Sequence, residues 1–398
     1  MPASSSSRLL LLLTVAIPLA LGAACNKGEP QANARRVASR ADLIGGPGAL
    51  GDVGDYLLEN DKIRIVIQDK GLSRGGSLID ADRVRPSADG DSSGGLGRDK
   101  FGEMFPVFFL QALVPEKVEV VNDGSDGKPA GVRVSGDGGD FLTLTRTLNQ
   151  AILNSYDRAD QLGNLLKPDT EDGEPKLTFE VLYELEPGAR YITIHSSLTN
   201  ISGDVLPVPS PAGKIVLGML GAGADSFKVP MGTVLLFGSG NKMFAPGAGY
   251  DIRFALDDGY DADLAFPAFP GVLTDVLLST SKTGVSYGFF AKADPKVENF
   301  VKYRLDDEGN NVYEKSYGVE AKDDTLLIPF VASSFTGVFS AQMPTELGPG
   351  ESFIYTSYFV VGDGDAASVM DIAHEVRGAA TGTVRGAVRH ALTGEPVA

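Results

Sequence analysis

The stretch Tyr56-Leu57-Leu58-Glu59-Asn60-Asp61-Lys62-Ile63-Arg64-Ile65-Val66-Ile67 repeats with a period of two. Ile63, Ile65 and Ile67 fall on one face of an extended segment, and Asn60-Asp61 can take the positive φ of a tight turn. The pattern predicts a β-hairpin. Working outward, Val118 to Val121 and Gly131 to Val134 read as strands joined by the turn-rich Asn122-Asp123-Gly124-Ser125-Asp126-Gly127, and Phe141 to Thr145 reads as another. Leu177 to Tyr183 places Phe179, Val181 and Tyr183 on one face. Arg190 to Leu198 gathers Ile192, Ile194 and Leu198, with Thr193 and His195 opposite, and Pro187-Gly188 marks the turn between the two strands.

Further short strands are predicted at Val234–Phe237, Val285–Phe290, Val301–Arg304, Val312–Tyr317, Leu326–Phe330 and Phe353–Val361. Asn149 to Leu166 reads as a short helix or an extended loop, and Gly75 to Gly102 as a long Gly/Ser/Asp-rich connection. One helix is predicted near the end. Asp365 caps it, Val369, Met370, Ile372, Ala373 and Val376 form its apolar stripe, and Gly378 ends it. Many short strands and one helix indicate a mainly β protein, a large β-sandwich with a short C-terminal helix.

Composition agrees. Gly 49 and Pro 23 among 398 residues suit a turn-rich β protein. Asp+Glu 52 against Lys+Arg 35 gives a net charge of −17, which excludes a nucleic-acid partner. With His 3 and Cys 1, neither a disulfide framework nor a zinc cluster can be assembled.

The first residues set the expected compartment. Arg8 precedes an apolar run from Leu9 to Leu21, which ends in Gly22-Ala23-Ala24-Cys25. Such a helix would span roughly 20 Å, short of the ~30 Å hydrocarbon core, so the run reads as a signal h-region. Small residues directly before a cysteine match a bacterial lipoprotein signal, in which Cys25 receives the lipid and becomes the first mature residue. Asn26 to Arg40 reads as a polar tether. Asn26 follows the cysteine where an inner-membrane signal has aspartate, so the expected address is the outer membrane.

The chemistry-bearing residues do not form a recognisable catalytic motif. His195, His374 and His390 are separated in sequence and no His-x-His occurs. The Gly-x-Ser-x-Gly elbow and the phosphate-binding Gly-x-x-x-x-Gly-Lys-Ser/Thr frame are both missing. Asp89-Gly90-Asp91-Ser92-Ser93-Gly94 has the first half of a calcium loop, making Asp89 and Asp91 the candidate metal ligands, but Lys100 stands where the closing acid belongs. Asp257, Asp258, Asp261 and Asp263 form a second acidic cluster. For both clusters the plainer expectation is a solvated loop. Trp 0 removes the strongest sugar-stacking platform, while Tyr 12 leaves a weaker one.

Several segments together resemble one family. Gly54 to Gln68, Gly76-Ser77-Leu78-Ile79-Asp80-Ala81-Asp82, Phe101-Gly102-Glu103-Met104-Phe105-Pro106, Glu119 to Gly124 and Leu185 to Tyr191 are similar to the opening region of secreted CehA/McbA-family metallohydrolases. The likeness runs from about Asp42 to Gly378. It implies a β-rich region followed by a carboxypeptidase-regulatory-like sandwich and then a PHP-type hydrolase. Gly382 to Val388 and Thr393 to Val397 resemble the opening of the regulatory-like module. The hydrolase's metal ligands have no counterpart, so no catalytic residue is carried over, and a divalent metal is expected only in the missing hydrolase domain. Leu185 to Asn200 also resembles β-supersandwich domains of sugar-active enzymes.

The expected organisation is a signal peptide at 1–24, a lipid-anchored linker at 25–41, a β-sandwich at 42–378 and an incomplete second β module at 379–398. The expected function is that of a non-catalytic accessory region in the bacterial cell envelope. Its expected partners are the membrane through Cys25, and either a polysaccharide or the downstream hydrolase domain. A carbohydrate-binding module and a structural lipoprotein are the alternatives.

Overall fold

The computed structural model describes residues 31–69, 76–85, 96–108, 111–140, 177–207, 231–236, 242–244, 253–254, 276–291, 297–305, 311–319, 327–332, 335–340, 346–383, 385–387 and 389–396. The fold is mainly β, as the period-two pattern predicts.

The first nine strands are β1 (Ala32–Arg36), β2 (Tyr56–Asn60), β3 (Ile63–Ile67), β4 (Leu78–Arg83), β5 (Glu103–Phe108), β6 (Gln111–Asn122), β7 (Ala130–Asp140), β8 (Leu177–Leu185) and β9 (Tyr191–Asn200). Each pairs antiparallel with the next. Then follow β10 (Leu206–Pro207), β11 (Met231–Leu236), β12 (Lys242–Phe244), β13 (Arg253–Phe254), β14 (Val276–Thr280) and β15 (Ser286–Ala291). The last are β16 (Val297–Leu305), β17 (Asn311–Val319), β18 (Leu327–Ala332), β19 (Phe335–Ser340), β20 (Glu346–Leu347) and β21 (Ser352–Gly362). Strand β21 lies between β9 and β15, and β15 continues to β14. β16 pairs antiparallel with β17, covering the strands predicted at Val301–Arg304 and Val312–Tyr317.

The sheet curls so that β2, β3 and β4 face β7, β8, β9, β21 and β15 across one core. Ile63, Ile65 and Ile67 meet Val132, Val134, Phe179, Val181, Tyr183, Ile192 and Ile194 there. Three tyrosine hydroxyls cross between segments: Tyr56 donates to the carbonyl of Val118 (2.7 Å), Tyr183 to that of Gly76 (2.9 Å) and Tyr287 to that of Ala81 (3.0 Å). Each ring is buried with its polar tip satisfied, the condition under which a core accepts tyrosine.

The helix α1 (Ala366–Val376) lies on the outer face of β14, β15 and β21. Asp365 caps it by accepting from the Ser368 amide (2.7 Å), and Val369, Ile372 and Ala373 are buried against Val276, Leu278, Phe290 and Val360. Gly288 allows this approach, because a Cβ there would overlap a methyl of Val369. No helix among the described residues is long and apolar enough to cross a membrane.

Three local expectations need correction. Residues 32–36 were expected in the polar linker, yet β1 pairs in full with β2, from Ala32 opposite Asn60 to Arg36 opposite Tyr56. Its alternating Ala32 and Ala34 are buried, and the turn glycine Gly124 (φ 82°) lies so close to the Ala32 carbonyl that a side chain would not fit. The Gly75–Gly102 connection contains β4, whose buried Asp80 and Asp82 disguise it as a polar loop. The hairpin turn falls on Asp61-Lys62, with Asn60 still in β2 and its Oδ1 accepting from the amides of Lys62 (2.8 Å) and Ile63 (2.9 Å). A side-chain acceptor there does the work expected of a backbone turn.

Described residues from Ala379 onward are exposed. Arg389 and Pro396 form an isolated bridge, and the amides of Leu392 and Thr393 donate to Nδ1 of His390.

Candidate functional site

Cys25, Asp89 and Asp91 lie outside the described residues, as do Asp257, Asp258, Asp261 and Asp263. So do Phe141–Thr145 and Asn149–Leu166. Among the described residues, no three His, Cys, Asp or Glu side chains come together in a way that could hold a metal. Two groups of polar side chains among the described residues are candidates for a site.

The first is a buried acid clasp on the outer face of β4. The segment from Leu43 to Asp55 crosses this face as a strap, with Ile44 buried against Val37, Leu57, Val66 and Ile79. Beneath it, Asp80 accepts from the amides of Leu50 (2.6 Å) and Gly51 (3.1 Å). Asp82 takes a two-pronged contact from Arg85, at 2.7 and 2.6 Å, and the amides of Arg83 and Arg98 as well. Asp99 Oδ1 accepts from the amides of Ala81 (3.0 Å) and Phe101 (3.1 Å) and lies 3.1 Å from the Tyr287 hydroxyl. Asp99 Oδ2 is buried and has no hydrogen-bond partner among the described residues.

Strap and clasp are sewn together by main-chain bonds. Gly97 N donates to Ile44 O (2.8 Å), Asp99 N to Gly45 O (3.3 Å) and Gly48 N to Asp99 O (2.9 Å). Asp55 closes the strap's far end by accepting from the amides of Asp52 and Asp69.

Burial dominates the electrostatics. It pushes the Asp80 carboxyl up to about 6, against the two amide bonds that favour its charge and with the nearby Asp55 charge adding to the rise. Burial, then the charge of Asp80, raises Asp99 well above the ordinary carboxylate range. The Tyr287 phenol is raised for the same two reasons, burial and the neighbouring Asp99.

The second place is an open polar patch on the outer face of β8, β9 and β21, beside the area that α1 covers. Opposite Ile192 and Ile194, as the alternation predicts, His195 lies half-exposed. Its Nε2 is 3.1 Å from Glu184 Oε2 and its Nδ1 is 3.0 Å from Thr356 Oγ1. A carboxylate only accepts, so Nε2 carries hydrogen, and in the neutral ring Nδ1 accepts from the threonine hydroxyl. Thr356 pairs directly with His195 across the ladder. Tyr191 and Tyr358 border the patch, their rings edge to face at 5.6 Å.

The sequence pointed to His195 but not to its partners, because Glu184 and Thr356 come from different strands, 11 residues before it and 161 after. Hydroxyl, imidazole and carboxylate in this order have the chemistry of a nucleophile triad. Strand amides, however, lie in the plane of the sheet while these side chains stand out from it. The patch offers half-exposed donors and acceptors, the chemistry of hydrogen-bonded recognition. His374 lies in the last turn of α1, where a cation is favoured by the helix dipole.

No family model matches the chain, and no curated protein does. Solved structures share its outline distantly. A GH36 alpha-galactosidase from Geobacillus stearothermophilus has 11% identity and a TM-score of 0.38, covering 81% of this chain and 42% of its own. A TPR-domain containing protein from Parabacteroides distasonis has 9% identity and a TM-score of 0.37, covering 92% and 58%. A galactose mutarotase-like protein from Lactobacillus casei has 11% identity and a TM-score of 0.33, covering 77% and 100%. The chain therefore spans 42% and 58% of the length of the first two. At these TM-scores no functional conclusion attaches to the likeness.

Proposed function

We propose that this chain is the non-catalytic, accessory β-sandwich region of a lipid-anchored protein of the bacterial envelope, outer-membrane in address. The observation that carries this reading is the run Leu9 to Leu21 followed by Gly22-Ala23-Ala24-Cys25. The short interval before β1 supports it. Residues 26–31 separate the cysteine from the sheet, a leash of about 20 Å when extended. Non-catalysis is supported by the way the buried acids are used, since Asp55, Asp80, Asp82 and Asp99 all accept main-chain amides. The resemblance to CehA/McbA-family proteins supports an accessory relation to a metallohydrolase.

Replacing Cys25 by Ala tests the anchor. Wild-type protein expressed in a Gram-negative host should take up radioactive palmitate and partition with membranes, and the variant should do neither. Equal partitioning of the two would overturn the anchor. Turnover of phosphodiester, ester or amide substrates by this chain with manganese or zinc would overturn non-catalysis.

The open patch favours a second reading, carbohydrate binding. His195, Glu184, Thr193, Thr356 and Ser197 offer donors and acceptors beside two tyrosine rings, the mixture that polyhydroxylated ligands use. A glycan array decides it: saccharide binding lost in His195→Ala supports this reading, and silence across the array removes it.

A further inference from the structure

Asp80 and Asp99 have neutral partners: the amides of Leu50, Gly51, Ala81 and Phe101, and the Tyr287 hydroxyl. The neighbouring guanidinium of Arg85 is committed to Asp82 through both terminal nitrogens. One oxygen of Asp99 has no hydrogen-bond partner among the described residues while fully buried. Leaving an ionised carboxylate oxygen bare in a dry site costs more than leaving a neutral hydroxyl bare. The closed geometry is therefore that of a pair that holds a proton.

We infer that Asp80 and Asp99 form a proton-operated clasp, in which protons close the strap from Ile44 to Asp55 onto β4 and the 96–101 segment, and their loss loosens it. This goes beyond the proposed function and does not depend on it.

Among the described residues, charged and titratable groups reach the pair from the strap, β3, β4, the 96–101 segment and β15. The strap contributes Asp52 and Asp55, with Asp69 beside them. β3 contributes Arg64, which bonds Glu59 and the Asp42 carbonyl. β4 contributes Asp82 with its Arg85, and Arg83, which pairs with Asp363. The 96–101 segment contributes the amides of Arg98 and Lys100, and β15 contributes Tyr287. The charge of Asp55 adds to the rise at Asp80 and that of Asp80 to the rise at Asp99, which strengthens the demand for a proton in the closed state.

The sign follows from linkage. Opening the strap lets water reach both carboxyls, and their affinities for protons return toward ordinary values. Closed Asp80 titrates at about 6 against the unperturbed 3.8. The closed state therefore binds protons more tightly. Its advantage is full below the unperturbed value and is lost as pH rises through the closed value. Two units of difference correspond to on the order of 100-fold in the opening equilibrium.

Hydrogen exchange of the full chain, followed by mass spectrometry and corrected for intrinsic rates, reads this directly. Between pH 4.5 and 7.5, opening of peptides from 44–55 should rise by about 25-fold or more, while α1 peptides keep their protection. Asp80→Asn should remove the step near pH 6. Asp99→Asn, which copies the shape of the neutral acid, should leave the strap as closed as wild type at pH 5 and more closed at pH 8. A wild-type opening constant that stays flat over this range overturns the clasp. So does Asp99→Asn opening the strap at pH 8, since negative charge would then be what holds it. If either variant fails to fold, the wild-type profile alone decides.

Discussion

The hydroxyl of Tyr287 lies 3.1 Å from Oδ1 of Asp99, joining residues 188 positions apart. The Tyr287 hydroxyl also accepts from the Lys100 amide at 2.9 Å and lies 3.0 Å from the Ala81 carbonyl. Tyr287 also stacks its ring on Phe359 and tilts it against Phe101, at 5.9 and 5.2 Å. One side chain thus contributes to the apolar core and seals the polar clasp.

Tyr287→Phe separates those two contributions. The ring contacts survive, while the Lys100 amide loses its acceptor and the Ala81 carbonyl its donor. A loss of about 1–3 kcal/mol is expected in urea unfolding, with the fold retained.

Asp82→Ala should cost more. It strands the Arg85 guanidinium, whose side chain is 4% exposed, and removes the acceptor for the Arg83 and Arg98 amides. Breaking a buried pair from one side costs about 3–5 kcal/mol. In a double-mutant cycle, Arg85→Met should recover part of the loss in Asp82→Ala. It should not recover all of it, because the two amides remain unsatisfied.

Gly288→Ala should destabilise by about 1–3 kcal/mol, the usual cost of overpacking, since its new methyl meets Val369 of α1. Val369→Ala in the same chain should return part of that loss. Thermal unfolding of the single and double variants checks it.

Global stability should be greatest in mildly acidic solution. Asp80 is raised in the fold to about 6, so its contribution is present below 3.8 and is lost as pH rises through 6. Asp55 is raised also, mainly by burial. Asp365, lowered chiefly by the Ser368 amide, acts oppositely and gives up its contribution only as pH falls below the ordinary carboxylate value. The free energy of urea unfolding should therefore be larger at pH 5 than at pH 7.5, by about 1.4 kcal/mol from Asp80.

What the sequence made legible was the half of the fold written in apolar alternation. β3, β8, β9, β21 and α1 were all evident from spacing, since each shows one clean face to the core or the sheet. β1 and β4 were not. In β1 the buried positions carry only alanine, and in β4 two of the buried positions carry aspartate, so a reading based on hydropathy takes both for loop. Aspartate was admissible there because the strap brings amide donors to Asp80, and Arg85 and Arg98 supply Asp82. Those donors come from segments whose arrival no local pattern announces. The patch at His195 was half-visible for the same reason: one strand shows a histidine, and the fold supplies Glu184 and Thr356.

The pairing of β1 with β2 has a consequence for how copies of this protein meet one another. β2 has β3 on one side, and β1 occupies the other for all five of its residues. A chain starting at Asp42, where the sequence alone sets the domain boundary, would leave the amides and carbonyls of Tyr56 to Asn60 as a bare ribbon edge. Such an edge is a template for a foreign strand. Residues 32–36 thus do more than lead into the sandwich, because they cover an edge that would otherwise be open to a strand from another copy.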